Sequence, residues 1–111
     1  MAVRSFIRFE AKPGKGAELE RIYLEGKFLE RARVLPGFLG GDFVCLDRST
    51  GHYAATALWD SEVSYQRWQE IGPAETPKEW RDALLRVVTK FEPGVAWDVL
   101  HEVGSEGATP S

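Results

Sequence analysis

The stretch FLGGDFVCLDRSTGHYAATALW, residues 38–59, decides the fold. Both of its ends are largely apolar runs carrying aromatic residues, and Asp47-Arg48-Ser49-Thr50-Gly51 between them is turn chemistry. Phe38 to Leu46 and His52 to Trp59 therefore read as two strands joined in a hairpin. Gly40-Gly41 inside the first strand points to a bulge or to another backbone approaching closely, because a glycine has no side chain to pack there.

On the N-terminal side, Leu35-Pro36-Gly37 stops whatever precedes the hairpin, since proline disfavours helix in the residue before it. Residues 15–34 contain no proline and are rich in Glu, Arg, Leu and Ala, which predicts one helix. Leu19, Ile22, Tyr23, Gly26 and Leu29 make its apolar stripe. Ahead of Lys12-Pro13-Gly14, residues 3–10 alternate. Val3, Ser5, Ile7 and Phe9 fall on one face, and Arg4, Phe6, Arg8 and Glu10 on the other, as in a half-buried strand.

On the C-terminal side, Asp60 or Ser61 can cap a helix running to about Ile71. Gly72-Pro73 interrupts it. Thr76-Pro77-Lys78-Glu79 restarts it, with Thr as cap, Pro at the first position and Glu three residues after the Thr. This second piece carries Trp80, Leu84, Leu85, Val87, Val88 and Phe91 and ends at Pro93-Gly94. Val95 to Val103 is the fourth strand. Residues 1–103 thus form one domain, and the small polar residues 104–111 a frayed tail.

The order strand-helix-strand-strand-helix-strand is α+β: a ferredoxin-like βαββαβ arrangement, with a four-stranded antiparallel sheet and both helices on one face. The other face is left bare. Its expected occupants are Phe6, either Phe43 or Val44, Leu58 and Leu100, beside Arg4, Arg8 and Thr56. A bare apolar face needs a cover, and a second copy related by a two-fold axis supplies one, so a homodimer is expected.

Composition excludes several function classes. With 43% hydrophobic and 28% charged residues, the 111-residue chain has the balance of one soluble domain. A net charge of −3 without a Lys/Arg stripe argues against a nucleic-acid partner. No apolar span approaches twenty residues and no export signal is expected, so neither does a membrane partner suggest itself. The lone Cys45 lies in an apolar run and reads as a buried small hydrophobe, consistent with a reducing cytoplasm.

Three motifs carry a resemblance to a known family. They are Lys12-Pro13-Gly14-Lys15 before the first helix, Leu35-Pro36-Gly37-Phe38 before the second strand, and Ala57-Leu58-Trp59-Asp60-Ser61-Glu62 followed by Tyr65. Over residues 3–103 the chain resembles the antibiotic biosynthesis monooxygenases, small dimeric α/β-barrel proteins. The resemblance implies an oxygenase without metal or organic cofactor, in which the substrate supplies the electrons: a phenol or enol is deprotonated and its anion reacts with oxygen. It also implies that Trp59 and Tyr65 sit where such members place pocket residues. An asparagine that such members carry on the third strand appears here as Ala55.

Such chemistry needs a mostly apolar pocket with one or two hydrogen-bonding groups. Period two puts Trp59, Ala57, Ala55 and Tyr53 on one sheet face, where alanines leave space and aromatics wall it. Tyr65 and Trp68 share a helix face just beyond, and Tyr23 lies in the stripe of the first helix. Tyr53, Ala55, Ala57, Trp59, Trp68 and Tyr23 are therefore the expected substrate-binding residues. Tyr65 and His101 are the expected catalytic ones. His101 falls on one strand face with Val95, Trp97, Val99 and Val103. His52 reads as a solvated turn residue, and Trp80 and Trp97 as packing.

Two other readings use the same pocket: a non-catalytic ligand-binding or stress-related dimer, and a cyclase or isomerase of a polyketide-like substrate. Haem degradation, also found in the family, fits less well. The resemblance sets the first-strand asparagine of those members at Ile7 and their iron-ligating histidine near Lys78, and only their tryptophan, at Trp68, is present. No Cys/His spacing suits a metal and no Gly-rich phosphate loop follows a strand.

Overall fold

The computed structural model describes residues 1–103; the expected tail lies outside them. The elements are β1 (Val3–Ala11), α1 (Gly16–Glu25), a 3-10 turn (Glu30–Val34), β2 (Phe38–Asp47), β3 (His52–Trp59), α2 (Glu62–Glu75), α3 (Lys78–Val87), β4 (Val88–Phe91) and β5 (Val95–Asp98). The fold is ferredoxin-like α+β. The sheet runs β2-β3-β1-β4, with β5 also on β1, and every pairing is antiparallel. Within one chain it is open, with edges at β2 and at β4/β5.

The hairpin of residues 38–59 forms as its turn chemistry dictates. Asp47 accepts hydrogen bonds from the Ser49 amide and hydroxyl, and these pull its carboxyl below the usual range. The register shifts between Phe38 and Gly40, and a Cβ on Gly41 would lie 2.6 Å from the Thr56 carbonyl oxygen. Both expected roles of the glycine pair, bulge and close approach, are met here.

The first helix is shorter than expected. α1 ends at Glu25, Lys27 takes a left-handed φ of 52°, and a 3-10 turn follows. The break lets Phe28 fold back onto Tyr23, with ring centroids 5.1 Å apart. Gly26 makes room, since a Cβ there would press into the Phe28 ring at 2.6 Å.

The second helical region differs in two ways. α2 runs through Pro73 to Glu75, and Ser61 is its cap, accepting from the Ser64 amide at 3.3 Å. Thr76 does not cap α3. Its hydroxyl turns back and donates to the Gly72 carbonyl at 2.8 Å, closing α2 instead.

The largest correction concerns the end of the chain. α3 stops at Val87, and residues 88–91, expected to be helical, form a strand on the far end of β1. Glu92-Pro93-Gly94 then breaks the edge, where proline's missing N–H does no harm. β5 ends at Asp98 rather than Val103. Leu100 and His101 therefore lie beyond the sheet, exposed, and not on a strand face.

β1 sorts the two sheet faces. Val3, Ser5 and Phe9 are buried beneath the helices, while Arg4 and Arg8 are exposed. Register places Phe43 opposite Ala55 on the helix side and Val44 opposite Ala54 on the open side. The open face carries Phe6, Val44, Leu58, Val95 and Trp97. Trp97 is 57% exposed and lies 6.0 Å from Phe6, so it is not core packing. Cys45, expected to be buried, is exposed on the edge strand.

Candidate functional site: a cavity between sheet and helices

The helix side of the sheet holds two separate clusters. One gathers Phe9, Leu19, Ile22, Tyr23, Leu84 and neighbours beneath α1 and α3. The other gathers Val3, Ala32, Ala57, Trp59 and Tyr65 beneath α2. Between them lies a cavity of about 420 Å³, within the range of small-molecule sites. Its floor is Ile7 and Ala55, directly paired across β1 and β3, with Ala57 beside them. These are small or purely aliphatic groups, which is why the space is open. Tyr23, Phe28 and Leu84 wall one side, Tyr65 and Trp68 the other.

The polar groups on the wall are few. Tyr65 and Gln69 lie one turn apart on α2, and the Gln69 side-chain amide donates to the Tyr65 hydroxyl at 3.0 Å. That bond uses an acceptor site of the phenol. Among the described residues its own O–H has no protein acceptor. Burial raises the Tyr65 pKa, so the group stays a protonated donor at neutral pH. Gly94, in the break between β4 and β5, touches this hydroxyl, and a Cβ there would come within 2.7 Å of it. Tyr23 is also driven above its ordinary pKa, first by burial and then by the charge of Glu30.

The expected site residues divide. Tyr65, Trp68, Tyr23, Ala55 and Ala57 line the cavity together. Trp59 does not. It is wholly buried behind Tyr65 and Trp68, at 6.4 and 6.3 Å between ring centroids, and its indole donates to Ser5 Oγ at 3.0 Å. Tyr53 does not either. It stacks on Phe43 and donates at 2.6 Å to Glu20, which also receives Arg48. His101 is exposed beyond β5 and does not line the cavity, and His52 pairs with Glu10 at 3.1 Å near the surface.

Sequence reasoning missed Gln69, Gly94, Phe28 and Arg81. Gln69 carried a usable signal, its i+4 spacing from Tyr65. Gly94 and Phe28 reach the cavity only through chain breaks, which periodicity does not register.

Two of the three motifs of the resemblance, those at Gly37 and at Asp60, pack on one another. The Asp60 amide donates to the Gly37 carbonyl at 2.9 Å. Gly37 has φ of 90°, and the side chains of Asp60 and Ser64 occupy the place of its missing Cβ. Ser64 donates to Asp60 at 2.6 Å and lowers its pKa.

No protein-family model and no curated relative matches the sequence. Solved structures do. A dimeric ferredoxin-like protein from an uncultured marine organism matches at TM-score 0.76 and 16% identity, covering 95% of this chain and 93% of that one. SnoaB, a cofactor-independent oxygenase from Streptomyces nogalater, matches at 0.65 and 20%, covering 94% and 98%. The chain has the fold of the antibiotic biosynthesis monooxygenases. MhuD, solved with manganese protoporphyrin IX bound, shares that fold at 0.70 and 23%, covering 93% and 99%. At these identities the likeness speaks for the fold. Among the described residues no helix is long and apolar enough to cross a membrane, and no cluster of His, Cys, Asp or Glu is placed to hold a metal.

Proposed function

We propose that the protein is a cofactor-independent monooxygenase of a small aromatic, quinol-like or polyketide-type compound bound in the cavity between sheet and helices. One observation carries this: an apolar space of about 420 Å³ with the Tyr65–Gln69 pair on its wall. A flat aromatic body fits between Trp68 and the Tyr23 side. A phenol or enol loses its proton to solvent water at the cavity mouth, and Tyr65, held by Gln69, donates its own O–H to the resulting oxyanion. The anion then reacts with oxygen. One oxygen atom enters the carbon that becomes a carbonyl and the other leaves as water, the substrate supplying all the electrons. In this role Tyr65 is a hydrogen-bond donor rather than a base, and His101 has no part. Gln69 supplies, from the helix, an amide that the floor lacks at Ile7 and Ala55.

Oxygen-electrode assays over a panel of dihydroxyaromatics test the reading, with uptake expected in the protein and slowed in Tyr65→Phe. Absence of uptake by folded protein, alongside active SnoaB, would overturn it. A second reading, a non-catalytic dimer that holds a small apolar ligand, is favoured by the lack, among the described residues, of any imidazole, thiol or carboxylate on the cavity wall. It predicts ligand binding without turnover. Among the described residues the wall likewise offers iron no imidazole, which argues against haem as the occupant.

We also infer that two copies pair through the open sheet face, supported by the exposed Trp97 and Val95 beside Phe6 and by the dimeric fold neighbour. The cytoplasm is the compartment assigned, on the single unpaired thiol of Cys45.

A further inference from the structure

We propose that the ligand of this cavity is an anionic amphiphile, a flat apolar body bearing one carboxylate or comparable anionic group that seats on Arg81 at the mouth. The inference rests on the cavity being a ligand site and adds the charge of what it takes.

Among the described residues that border the cavity, Arg81 is the one charged group. It is exposed, so it belongs to the rim rather than to the interior. The neighbouring Asp82 carboxylate feels its charge but makes no ion pair with it. Asp82 beside it is held by Lys78 at 2.7 Å, and among the described residues no ion pair includes Arg81. Yet it is positioned. Prolines at 73 and 77 are four residues apart, so the Pro73 carbonyl faces a residue without an N–H. Arg81 supplies the missing donor at 3.4 Å, with its backbone tied to the Pro77 carbonyl at 3.1 Å. One guanidinium donor is spent in this way, and the rest of the fork is left for a planar anion.

Two probes with one body separate charge from shape: 1-anilinonaphthalene-8-sulfonate and the uncharged N-phenyl-1-naphthylamine. In the wild-type protein the sulfonate is expected to bind about fivefold tighter, the ratio for a charge contact at an exposed rim. Arg81→Gln keeps a polar side chain but carries no charge. It should bring the two affinities level, leave the uncharged probe unchanged and leave the melting temperature in place. Arg81→Lys should keep part of the preference. Equal binding of both probes by the wild type, or a preference that survives in Arg81→Gln, overturns the proposal. Ala57→Leu, which narrows the cavity, controls for the underlying reading. If it leaves both probes bound as before, they sit elsewhere, and the cavity reading falls together with the proposal.

Discussion

The two ends of the helix-side layer are built from the same strand and serve opposite purposes. At one end Trp59 fills the space between β3 and α2 completely, with no exposed surface and its indole nitrogen satisfied by Ser5. Two and four residues back along β3, Ala57 and Ala55 point the same way and leave a cavity. The difference is side-chain volume at alternate positions of one strand. It teaches that the residues with the strongest family look, Trp59-Asp60-Ser61 and Pro36-Gly37-Phe38, make the plug and its clasp. The residues that make the site are mostly plain ones.

The filled end should be the more fragile. Trp59→Ala is expected to cost about 3–5 kcal/mol in urea unfolding, because it empties a fully packed position and takes from Ser5 Oγ its indole donor. A loss under about 1 kcal/mol would mean that the end is loosely packed, and the contrast with the cavity would vanish.

The hollow end should tolerate the reverse change. Ala57→Leu adds volume where there is room, so stability should stay within about 1 kcal/mol of wild type. Ligand affinity should fall at least about tenfold, since the added methyl groups occupy the space of the ring. A strong destabilisation with unaltered binding would show that the space closes on itself in solution. Calorimetry and a denaturation curve on one sample decide between the outcomes.

The same contrast explains what the sequence could and could not reveal. Element order was legible because turn chemistry and period two are local signals. The hairpin of residues 38–59 and the Ser61 cap needed nothing else. Residues 84–91 misled because Leu84, Leu85, Val87, Val88 and Phe91 fit a helical stripe, and a run this short cannot distinguish periods. Pairing with Phe9, Glu10 and Ala11 settled them as a strand, and that is a long-range fact. His101 was misplaced for the same reason: a strand from Val95 to Val103 ignored where β1 runs out of partners. Within the site, Tyr65 and Trp68 followed from helical spacing. Trp59 faced the expected side but sat one layer behind the cavity wall, a distinction that face assignment cannot make.

The smallest effect separates donor from base at Tyr65. Removing its hydroxyl as Tyr65→Phe forfeits one hydrogen bond to the ligand anion, worth about 1.5 kcal/mol, or roughly tenfold in affinity. The pH dependence distinguishes the roles. Burial raises the folded-state pKa above the ordinary phenol value near 10. The proton is therefore present throughout the neutral range, and the Tyr65 contribution to binding should be flat from pH 6 to 9. A base would instead gain activity as it ionised. The sign for stability follows the same shift. Below the unfolded pKa both states hold the proton and the contribution is intact. As pH rises past about 10 the unfolded phenol ionises first and binds fewer protons than the folded one, so stability falls. Tyr65→Phe should remove its share of that alkaline loss and leave the curve unchanged below pH 9. A binding contribution that titrates near neutrality would place an ionising partner beside Tyr65 and return the site to acid-base chemistry.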